Sequence, residues 1–417
     1  LFGLARITLR RRRHGAAAAD ALALAIAGAW ALHPLQTQAV TYVVQRAESL
    51  MGFFYLFALY AFARATICHP LDDKGANRHR RSWLGVSVAA CALGMGTKEV
   101  MATAPLLVLL YDRTFVAGSF AAAWRERRGF YLALGATWLV LAALIASTGG
   151  NRGGTVGIGV GVPWWAYGLT QFQALVRYVA LSAWPQTLVF EYGTFWVRSA
   201  AEIAPYAIVV LPLLVVTVVA LRRWPALGFC GAWFFLILAP TSLTPGTIQM
   251  IVEHRMYLPL AAVVAVAAVG LHGILGRRAL PVFAATVLGM ALLTANRNHV
   301  YRSHVALWTD TLAKRPDNPR AHSGLAEALD ELGQREAALK HRAEAVRLQP
   351  DESTYHFNLA LTLADAGRPA EAVPHYQRSL QLKPDEPKTH NNLAIVLTRL
   401  NRPDEALPHS AAAVRLK

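Results

Sequence analysis

The feature that most constrains this chain is a series of apolar stretches, separated by short polar or basic loops, that occupies residues 17–297. Most of these stretches approach the length of about 20 residues that a helix needs to cross a bilayer. A chain that is 55% hydrophobic and only 16% charged does not have the composition of an ordinary soluble protein. The pattern therefore predicts a polytopic membrane helix bundle with about nine spans, at 17–32, 50–66, 82–97, 98–112, 129–147, 203–221, 226–243, 257–275 and 279–296. The hairpin 82–112 has short arms and could dip into the membrane and return.

Basic residues fall in alternate loops and so predict an orientation. One side carries the clusters Arg10 to Arg13, Arg64 to Arg81, Arg113 to Arg128, Arg222 with Arg223, and Arg277 with Arg278. The other side has only Arg46, Lys98, Arg152, Arg177, Arg198 and Arg255. The positive-inside rule makes the first side cytoplasmic, so we expect a multi-pass membrane protein in this orientation. These loops account for much of the net charge of +16, so the sequence predicts no nucleic-acid partner.

The segment 163–185 is rich in Trp and Tyr but is interrupted by Gln171, Gln173 and Arg177. If this segment crossed the membrane, Arg222 with Arg223 and Arg277 with Arg278 would lie on the sparsely charged side. We therefore interpret it as an interfacial helix. The apolar start at Leu1, which is not a methionine, is typical of the end of a span that begins upstream. We expect the chain to be part of a longer protein.

A strict period of 34 residues appears after the last apolar stretch. It relates Pro316, Pro350 and Pro384; Gly333, Gly367 and Asn401; Leu325, Leu359 and Leu393; and Ala338, Ala372 and Ala406. Thirty-four is the tetratricopeptide period, in which each repeat is a pair of helices. The predicted fold is thus all-α, with a membrane domain at 1–297, a linker helix at 298–315 and a tetratricopeptide α-solenoid of three repeats at 316–417. Because the last span leaves the cytoplasmic side at Arg278, the repeats are expected on the periplasmic or extracellular side.

Polar residues cluster at the predicted outer ends of the spans, where ionisable groups are costly and tend to serve a site. These candidates are Arg46 and Glu48; Lys98 and Glu99; and Glu253, His254, Arg255 and Tyr257. Arg255 suits a phosphate because its planar fork binds two oxygens at once, with Lys98 as a second positive charge. Glu48, Glu99 and Glu253 could orient these cations or contact an acceptor. Alternatively, the pairs are ordinary ion pairs, and Tyr257 anchors a span in the aromatic belt.

In this order, and followed by such repeats, these residues resemble the transmembrane and tetratricopeptide repeat-containing proteins, which are O-mannosyltransferases of the C-type glycosyltransferase superfamily, and their bacterial relatives. The resemblance implies transfer of a sugar, such as mannose, from a polyprenyl-phosphate carrier to protein Ser or Thr hydroxyls on the outer face of the membrane. The family's catalytic acid would precede Leu1, so this chain alone is expected to be inactive. Bacterial relatives often carry an acid where Gln38 stands.

The predicted partners are membrane lipid, the lipid-linked sugar donor and a protein acceptor bound through the repeats. Asn358 and Asn392 occupy equivalent positions, one period apart, on the first helices of two repeats. They resemble the asparagine ladder of the nucleocytoplasmic O-linked N-acetylglucosamine transferase. They could bind a peptide backbone or serve helix packing. No spacing of histidines or carboxylates indicates a dedicated metal site, and no cofactor is predicted. The alternative function is a non-catalytic membrane scaffold whose repeats recruit proteins.

Overall fold

The computed structural model describes residues 1–12, 15–67, 74–147, 163–197, 199–244 and 250–416. Every regular element in these ranges is a helix, as the predicted all-α fold requires. The chain forms two compact units. The first comprises Leu1–Leu188 and Thr194–His299, and the second comprises Val189–Gly193 and Val300–Lys417.

The first unit is built from twelve described helices joined by short 3-10 turns. They are α1 Phe2–Arg11, α2 Ala16–Ala31, α3 Thr37–Thr41, α4 Arg46–Ile67, α5 Lys74–Met95, α6 Ala104–Phe115, α7 Phe120–Ser147, α8 Trp164–Ala183, α9 Ala200–Arg223, α10 Pro225–Leu243, α11 Pro259–Leu275 and α12 Ala279–Val300. Two of the 3-10 turns, Glu99–Thr103 and Glu253–Met256, lie just before α6 and α11 and contain predicted site residues.

Five helical runs among the described residues are long and apolar enough to cross a membrane: 43–67, 120–147, 201–223, 225–243 and 259–300. The bent pair α2 and 34–41 would make a sixth. This is fewer than the nine predicted spans, for physical reasons that differ between helices. Helix α5 begins with a basic segment that lowers its mean hydropathy, α6 has only 12 residues, and α11 and α12 form one run across Gly276.

Large aromatic side chains and small residues share the core of the first unit. Phe62 packs edge-on against Tyr111, and Tyr55 packs against Trp233. Helices α4 and α5 approach closely where Ser87 Oγ donates a hydrogen bond of 2.8 Å to the carbonyl oxygen of Ala58. Such close approach through small residues is typical of helices that pack without bulky side chains between them.

A buried ion pair that the sequence analysis did not predict joins α6 to α7. The Asp112 carboxylate is fully buried and accepts hydrogen bonds of 3.0 and 3.2 Å from Arg127 Nη1. Tyr131 Oη donates to the same carboxylate. Arg127 Nη2 also lies 2.8 Å from Glu126, so removing Asp112 leaves Arg127 with one carboxylate, whereas removing Arg127 takes the ion-pair partner from the buried Asp112. We assign these three residues a structural role.

The second unit consists of α13 His304–Lys314 and three helix pairs. The pairs are α14 Pro319–Glu331 with α15 Arg335–Leu348, α16 Ser353–Asp365 with α17 Pro369–Leu382, and α18 Pro387–Arg399 with α19 Pro403–Arg415. The predicted turn residues Gly333, Gly367 and Asn401 all have positive φ, between 59° and 76°. The periodic leucines and alanines are buried between the helices of each pair.

Residues 189–193 pack within the second unit. Phe190 contacts Trp308 edge-on, with ring centroids 5.1 Å apart. Asn318 caps the start of α14 through Oδ1 and donates from Nδ2 to the carbonyl oxygen of Glu191 at 3.0 Å. Glu191 also lies 3.4 Å from Arg320, so its charge has a structural partner.

Candidate functional site

The first unit brings together polar residues from three separate segments of the sequence. Glu48 lies in the first turn of α4, Lys98 precedes the turn Glu99–Thr103, and His254 and Arg255 lie in the turn Glu253–Met256. The first segment is the N-terminal turn of a helix and the other two are short turns just before helices, so all three lie at helix starts. All four residues were predicted from the sequence as site candidates, whereas their convergence is visible only in the structure.

Glu48 and Lys98 form the central ion pair. Lys98 Nζ donates to Glu48 Oε1, and the Glu48 side chain is only 3% exposed, whereas that of Lys98 is 20% exposed. The negative charge of Glu48 is therefore compensated by the ammonium group of Lys98, which stays partly exposed to solvent. The pair joins two segments that lie 50 residues apart in the sequence.

His254 lies beside this ion pair and is held by Gln38. Gln38 Oε1 accepts a hydrogen bond of 2.9 Å from the His254 backbone N–H and lies 3.2 Å from its Nδ1. His254 Nε2 is 3.9 Å from Glu48 Oε1. Burial first, and then the charges of Lys98 and Arg255, hold the pKa of His254 well below its usual range. His254 is therefore neutral at pH 7, with Gln38 at its Nδ1 and the Glu48 carboxylate beyond hydrogen-bond distance of its Nε2.

Arg255 is surrounded by neutral acceptors. Its Nη2 donates to Tyr167 Oη at 3.3 Å, and its Nη1 lies 3.5 Å from Gln171 Oε1 and 3.4 Å from the carbonyl oxygen of Met250. Within the described residues, no carboxylate lies within 4 Å of its guanidinium. The hydrogen bonds are long, and the Gln171 Nε2 donor is buried without a partner in the same part of the structure. This half-buried group of donors is suited to an anion.

The other predicted site residues differ in their placement. Glu253 is buried at the start of its turn and Glu99 is half-buried next to Lys98. Arg46 is exposed in the first turn of α4 and, within the described residues, does not join the cluster. Tyr257 is an anchor: its ring lies 5.0 Å from that of Trp30, and its carbonyl oxygen accepts a hydrogen bond of 2.6 Å from Trp30 Nε1.

Helix α8 contributes a polar face to this cluster. In the sequence, these polar residues appeared only as interruptions of an apolar segment. Tyr167, Gln171 and Tyr178 are buried along one side of α8, and Tyr178 Oη accepts a hydrogen bond of 3.1 Å from Val252 N. Trp164, Trp165 and Trp184 at its ends are exposed. The spacing of 167, 171 and 178 at intervals of four and seven residues is the signal that could have revealed this face.

A small cavity opens between Glu48, Arg255, Thr241 and the apolar residues Met51, Val100, Ile237 and Leu258. A separate apolar cavity of about 770 Å³ lies among α1, α6, α10 and α11, where Arg12 and Arg223 supply the charged groups of its lining. The first cavity has a volume of only about 10 Å³ and is lined by Arg255 and the Glu48 carboxylate, so a phosphate could enter it only if side chains moved. The second could accept an apolar chain.

The two asparagines of the repeats differ in their contacts. Asn392 is half-buried and hydrogen-bonds the buried Tyr376, which favours the helix-packing interpretation at that position. Asn358 is half-buried on the first helix of the second pair, and its amide has no hydrogen-bond partner within the described residues. Only Asn358 is therefore placed to bind a peptide without first breaking a bond of its own.

The comparisons with known proteins identify the second unit. Two sequence profiles of the tetratricopeptide repeat match residues 301–353 and 350–417. This region therefore consists of tetratricopeptide repeats, as predicted from the period of 34. No curated protein matches the chain.

Solved structures of MamA are similar to part of this chain. One MamA mutant is 27% identical over 27% of this chain and 82% of that chain, with a TM-score of 0.24. MamA AMB-1 is 26% identical over 37% of this chain and 88% of that chain, with a TM-score of 0.26. None of these comparisons supports the resemblance to glycosyltransferases, which stays a prediction.

Proposed function

We propose that this protein binds a partner protein through its tetratricopeptide repeats and is held in a membrane by the apolar helices of residues 1–297. The match of residues 301–417 to the repeat carries the first part of this proposal. Tetratricopeptide repeats stack into a curved array whose first helices line a concave binding surface. Asn358 and the exposed Ile395 lie on such first helices.

The membrane part of the proposal is supported by apolar side chains that the first unit leaves exposed. Helix α9 exposes Ile208, Val215 and Val218, and α12 exposes Leu288 and Leu292. A contiguous apolar surface of this kind is unfavourable in water and indicates a lipid or protein environment. With the basic loops on the cytoplasmic side, the protein would be a multi-pass protein of a bacterial inner membrane, with its repeats on the periplasmic or extracellular side.

Site-specific cross-linking tests the binding surface. A photoreactive amino acid at Ile395, which is 44% exposed on the first helix α18, should cross-link a protein partner in cells. The same amino acid at Leu407, which is 67% exposed on the second helix α19, should give much less product. Asn358→Arg should reduce the Ile395 product, whereas Gln377→Arg on the exposed side of α17 should not. Equal products at 395 and 407, or no dependence on Asn358, would contradict the proposal.

The cluster around Arg255 favours a second function, transfer of a sugar from a polyprenyl-phosphate carrier to a protein hydroxyl. A glycosyl phosphate leaves as an anion, so its departure needs positive charge placed where negative charge develops. Arg255, which has no carboxylate within 4 Å among the described residues, would supply most of that charge, because the charge of Lys98 is compensated by Glu48. The repeats would then bind the protein acceptor and raise its local concentration. Neutral His254 would hold the turn that carries Arg255.

This second function is tested on the full-length protein by sugar transfer from a polyprenyl-phosphate donor to an acceptor protein in liposomes. Arg255→Lys keeps the charge but loses the two-point geometry, and we expect a loss of about a hundredfold in rate, or ~3 kcal/mol. Arg255→Ala should be worse, whereas Arg46→Ala, which changes an exposed arginine outside the cluster, should transfer sugar normally. If wild type transfers no sugar from any such donor, the protein-binding function stands alone.

A further inference from the structure

The apolar cavity of about 770 Å³ in the first unit begins at the predicted cytoplasmic ends of its helices. Arg12 follows the end of α1, Arg223 ends α9, and Trp224 directly precedes α10. Trp224 is 59% exposed, as is typical of aromatic side chains at the level of lipid head groups. From these residues the cavity extends along α10 to Trp233. Its volume lies within the range of about 300–1,000 Å³ that is typical of ligand pockets.

The inner wall of this cavity is apolar, and its polar groups are hydrogen-bonded within the protein. Thr8 Oγ1 donates to the carbonyl oxygen of Leu4 at 2.8 Å, so Tyr111 Oη is the donor in its bond of 2.6 Å to Thr8. Trp233 Nε1 donates to the carbonyl oxygen of Leu258 at 2.8 Å. Because these groups are already satisfied, the wall is suited to a hydrocarbon chain.

The depth of the cavity corresponds to one leaflet of a bilayer. Its lining runs over eight positions of α10, from Pro225 to Trp233, and over nine positions of α11, from Ala261 to Gly270. At about 1.5 Å per residue these stretches are about 12–14 Å long. The hydrocarbon core of a bilayer is about 30 Å thick, so they reach close to its middle. Val266 lines the cavity and is 40% exposed, which places an opening on the outer side of α11.

The mouth of the cavity carries positive charge that has no acidic partner. Arg12 and Arg223 are both exposed, and among the described residues neither lies within 4 Å of a carboxylate. By contrast, Arg6 and Arg10 on α1 both bind Asp20, at 2.8 and 2.9 Å. Basic pockets between spanning helices on the cytoplasmic side are typical binding sites for anionic lipid head groups.

We propose that this cavity binds one anionic phospholipid of the cytoplasmic leaflet. One acyl chain lies among α1, α6, α10 and α11, and the phosphate lies at Arg12 and Arg223. The inference rests on the proposed placement of residues 1–297 in a membrane. Two arginines without a carboxylate partner select an anionic head group, and a depth of one leaflet selects an ordinary acyl chain. The polyprenyl-phosphate donor of the second function would bind at the opposite ends of these helices, near Arg255.

Native mass spectrometry of the full-length protein tests the head-group contacts. Protein stripped of lipid in detergent is titrated with phosphatidylglycerol, which is anionic, or with phosphatidylcholine, which has no net charge. We expect one phosphatidylglycerol per chain, bound more tightly than phosphatidylcholine. Arg12→Gln and Arg223→Gln should each weaken binding of phosphatidylglycerol about fivefold, and the double variant about 25-fold, with phosphatidylcholine unchanged. The full-length protein lets any segment upstream of Leu1 compete for the cavity.

A second arginine pair provides the matched control. Arg277 and Arg278 are exposed on the same predicted side of the membrane but do not line the cavity. Changing both to Gln removes the same charge as the double variant of Arg12 and Arg223. Binding of phosphatidylglycerol should stay at the wild-type level, because the lost charge is not at the head group.

Filling the cavity tests the acyl-chain contacts. Ala265 lines the cavity on α11, whereas Ala267 is exposed on the same helix outside it. Ala265→Phe should abolish binding of both lipids, and Ala267→Phe should leave binding unchanged. Size-exclusion chromatography of every variant checks the fold. If Ala265→Phe does not fold, the exposed arginine variants decide the matter.

The proposal is overturned if the double variant of Arg12 and Arg223 binds phosphatidylglycerol as tightly as the control pair, or if wild type binds both lipids equally. It is also overturned if an equal concentration of a polyprenyl phosphate displaces the phosphatidylglycerol, or if the full-length protein binds no lipid. Recovery of the protein in the membrane fraction of cells separates these failures from that of the proposed function. A protein that stays in that fraction but fails the lipid tests loses only the lipid site, whereas absence from it contradicts both.

Discussion

Replacing Lys98 by Met should destabilise the first unit because of the charge it leaves behind on Glu48. The Glu48 carboxylate is 3% exposed, and Lys98 is its only ion-pair partner of lysine or arginine type within the described residues. Met conserves the apolar stem of Lys98 but removes the ammonium group. The buried carboxylate then loses its ion-pair partner, and the nearest remaining cation that acts on it is Arg255.

The size of the effect depends on this burial. Removing one partner of a buried ion pair typically costs about 3–5 kcal/mol, whereas an exposed pair contributes about 0–1 kcal/mol. At about 2 °C per kcal/mol for a unit of this size, the melting temperature should fall by about 6–10 °C. The double variant Lys98→Met with Glu48→Gln removes both charges, and we expect it to melt within about 3 °C of wild type.

Native cysteines provide the assay. Cys91 is buried and Cys230 is half-buried in the first unit, so their reaction with a thiol-reactive fluorophore on heating reports the unfolding of that unit alone. Cys68→Ser in all variants leaves these two as the only reporters. A Lys98→Met variant that melts like wild type would refute the argument, as would a double variant whose loss equals the sum of the two single losses. Either result would mean that the pair is not energetically coupled.

Three further predictions concern topology and the repeats. Single cysteines at Gly75 and Ser323, in a background without native cysteines, should be labelled from opposite sides of intact cells; labelling from the same side would contradict the orientation. Stability of the repeats should be full above about pH 6.5 and decline below it, because burial and the neighbouring histidine lower the pKa of His341, His375 and His409, so the unfolded chain takes up protons first. Urea unfolding near neutral pH and near about pH 5 should show a smaller decline in a variant in which these three histidines are replaced by Gln. A polar capping helix after α19 should raise the melting temperature of residues 298–417, since Leu407 and Val414 are exposed there, and an unchanged melting temperature would show that α19 needs no further neighbour.

The candidate site was predictable as a set of residues but not as an arrangement. Glu48, Lys98, His254 and Arg255 could be named because polar groups at the ends of apolar stretches are unusual. Their partner Gln38 comes from a segment that the sequence pattern assigned to a loop between spans. Their partners Tyr167 and Gln171 come from the segment that it assigned to an interfacial helix. Arg46 was named on the same grounds, yet its side chain is exposed, because its position in the first turn of α4 faces away from the cluster.

The secondary structure and the repeat period of this protein could be read from the sequence itself. The all-α character, the apolar stretches and the tetratricopeptide repeats follow from patterns that act over one helix or one period. Glycine or asparagine at each repeat turn is a local requirement, because few other residues adopt positive φ without strain.

Contacts between distant segments were decided only by the tertiary structure. The ion pair of Glu48 with Lys98 spans 50 residues, and the bond between Gln38 and His254 spans 216. His322 and His341 lie only 19 residues apart, as do the equivalent histidines of the next two repeats, and their rings meet because the two helices of a repeat pack against each other. In each case the physical reason is the same: pattern sets which face of a helix is buried, whereas packing sets which side chains it meets there.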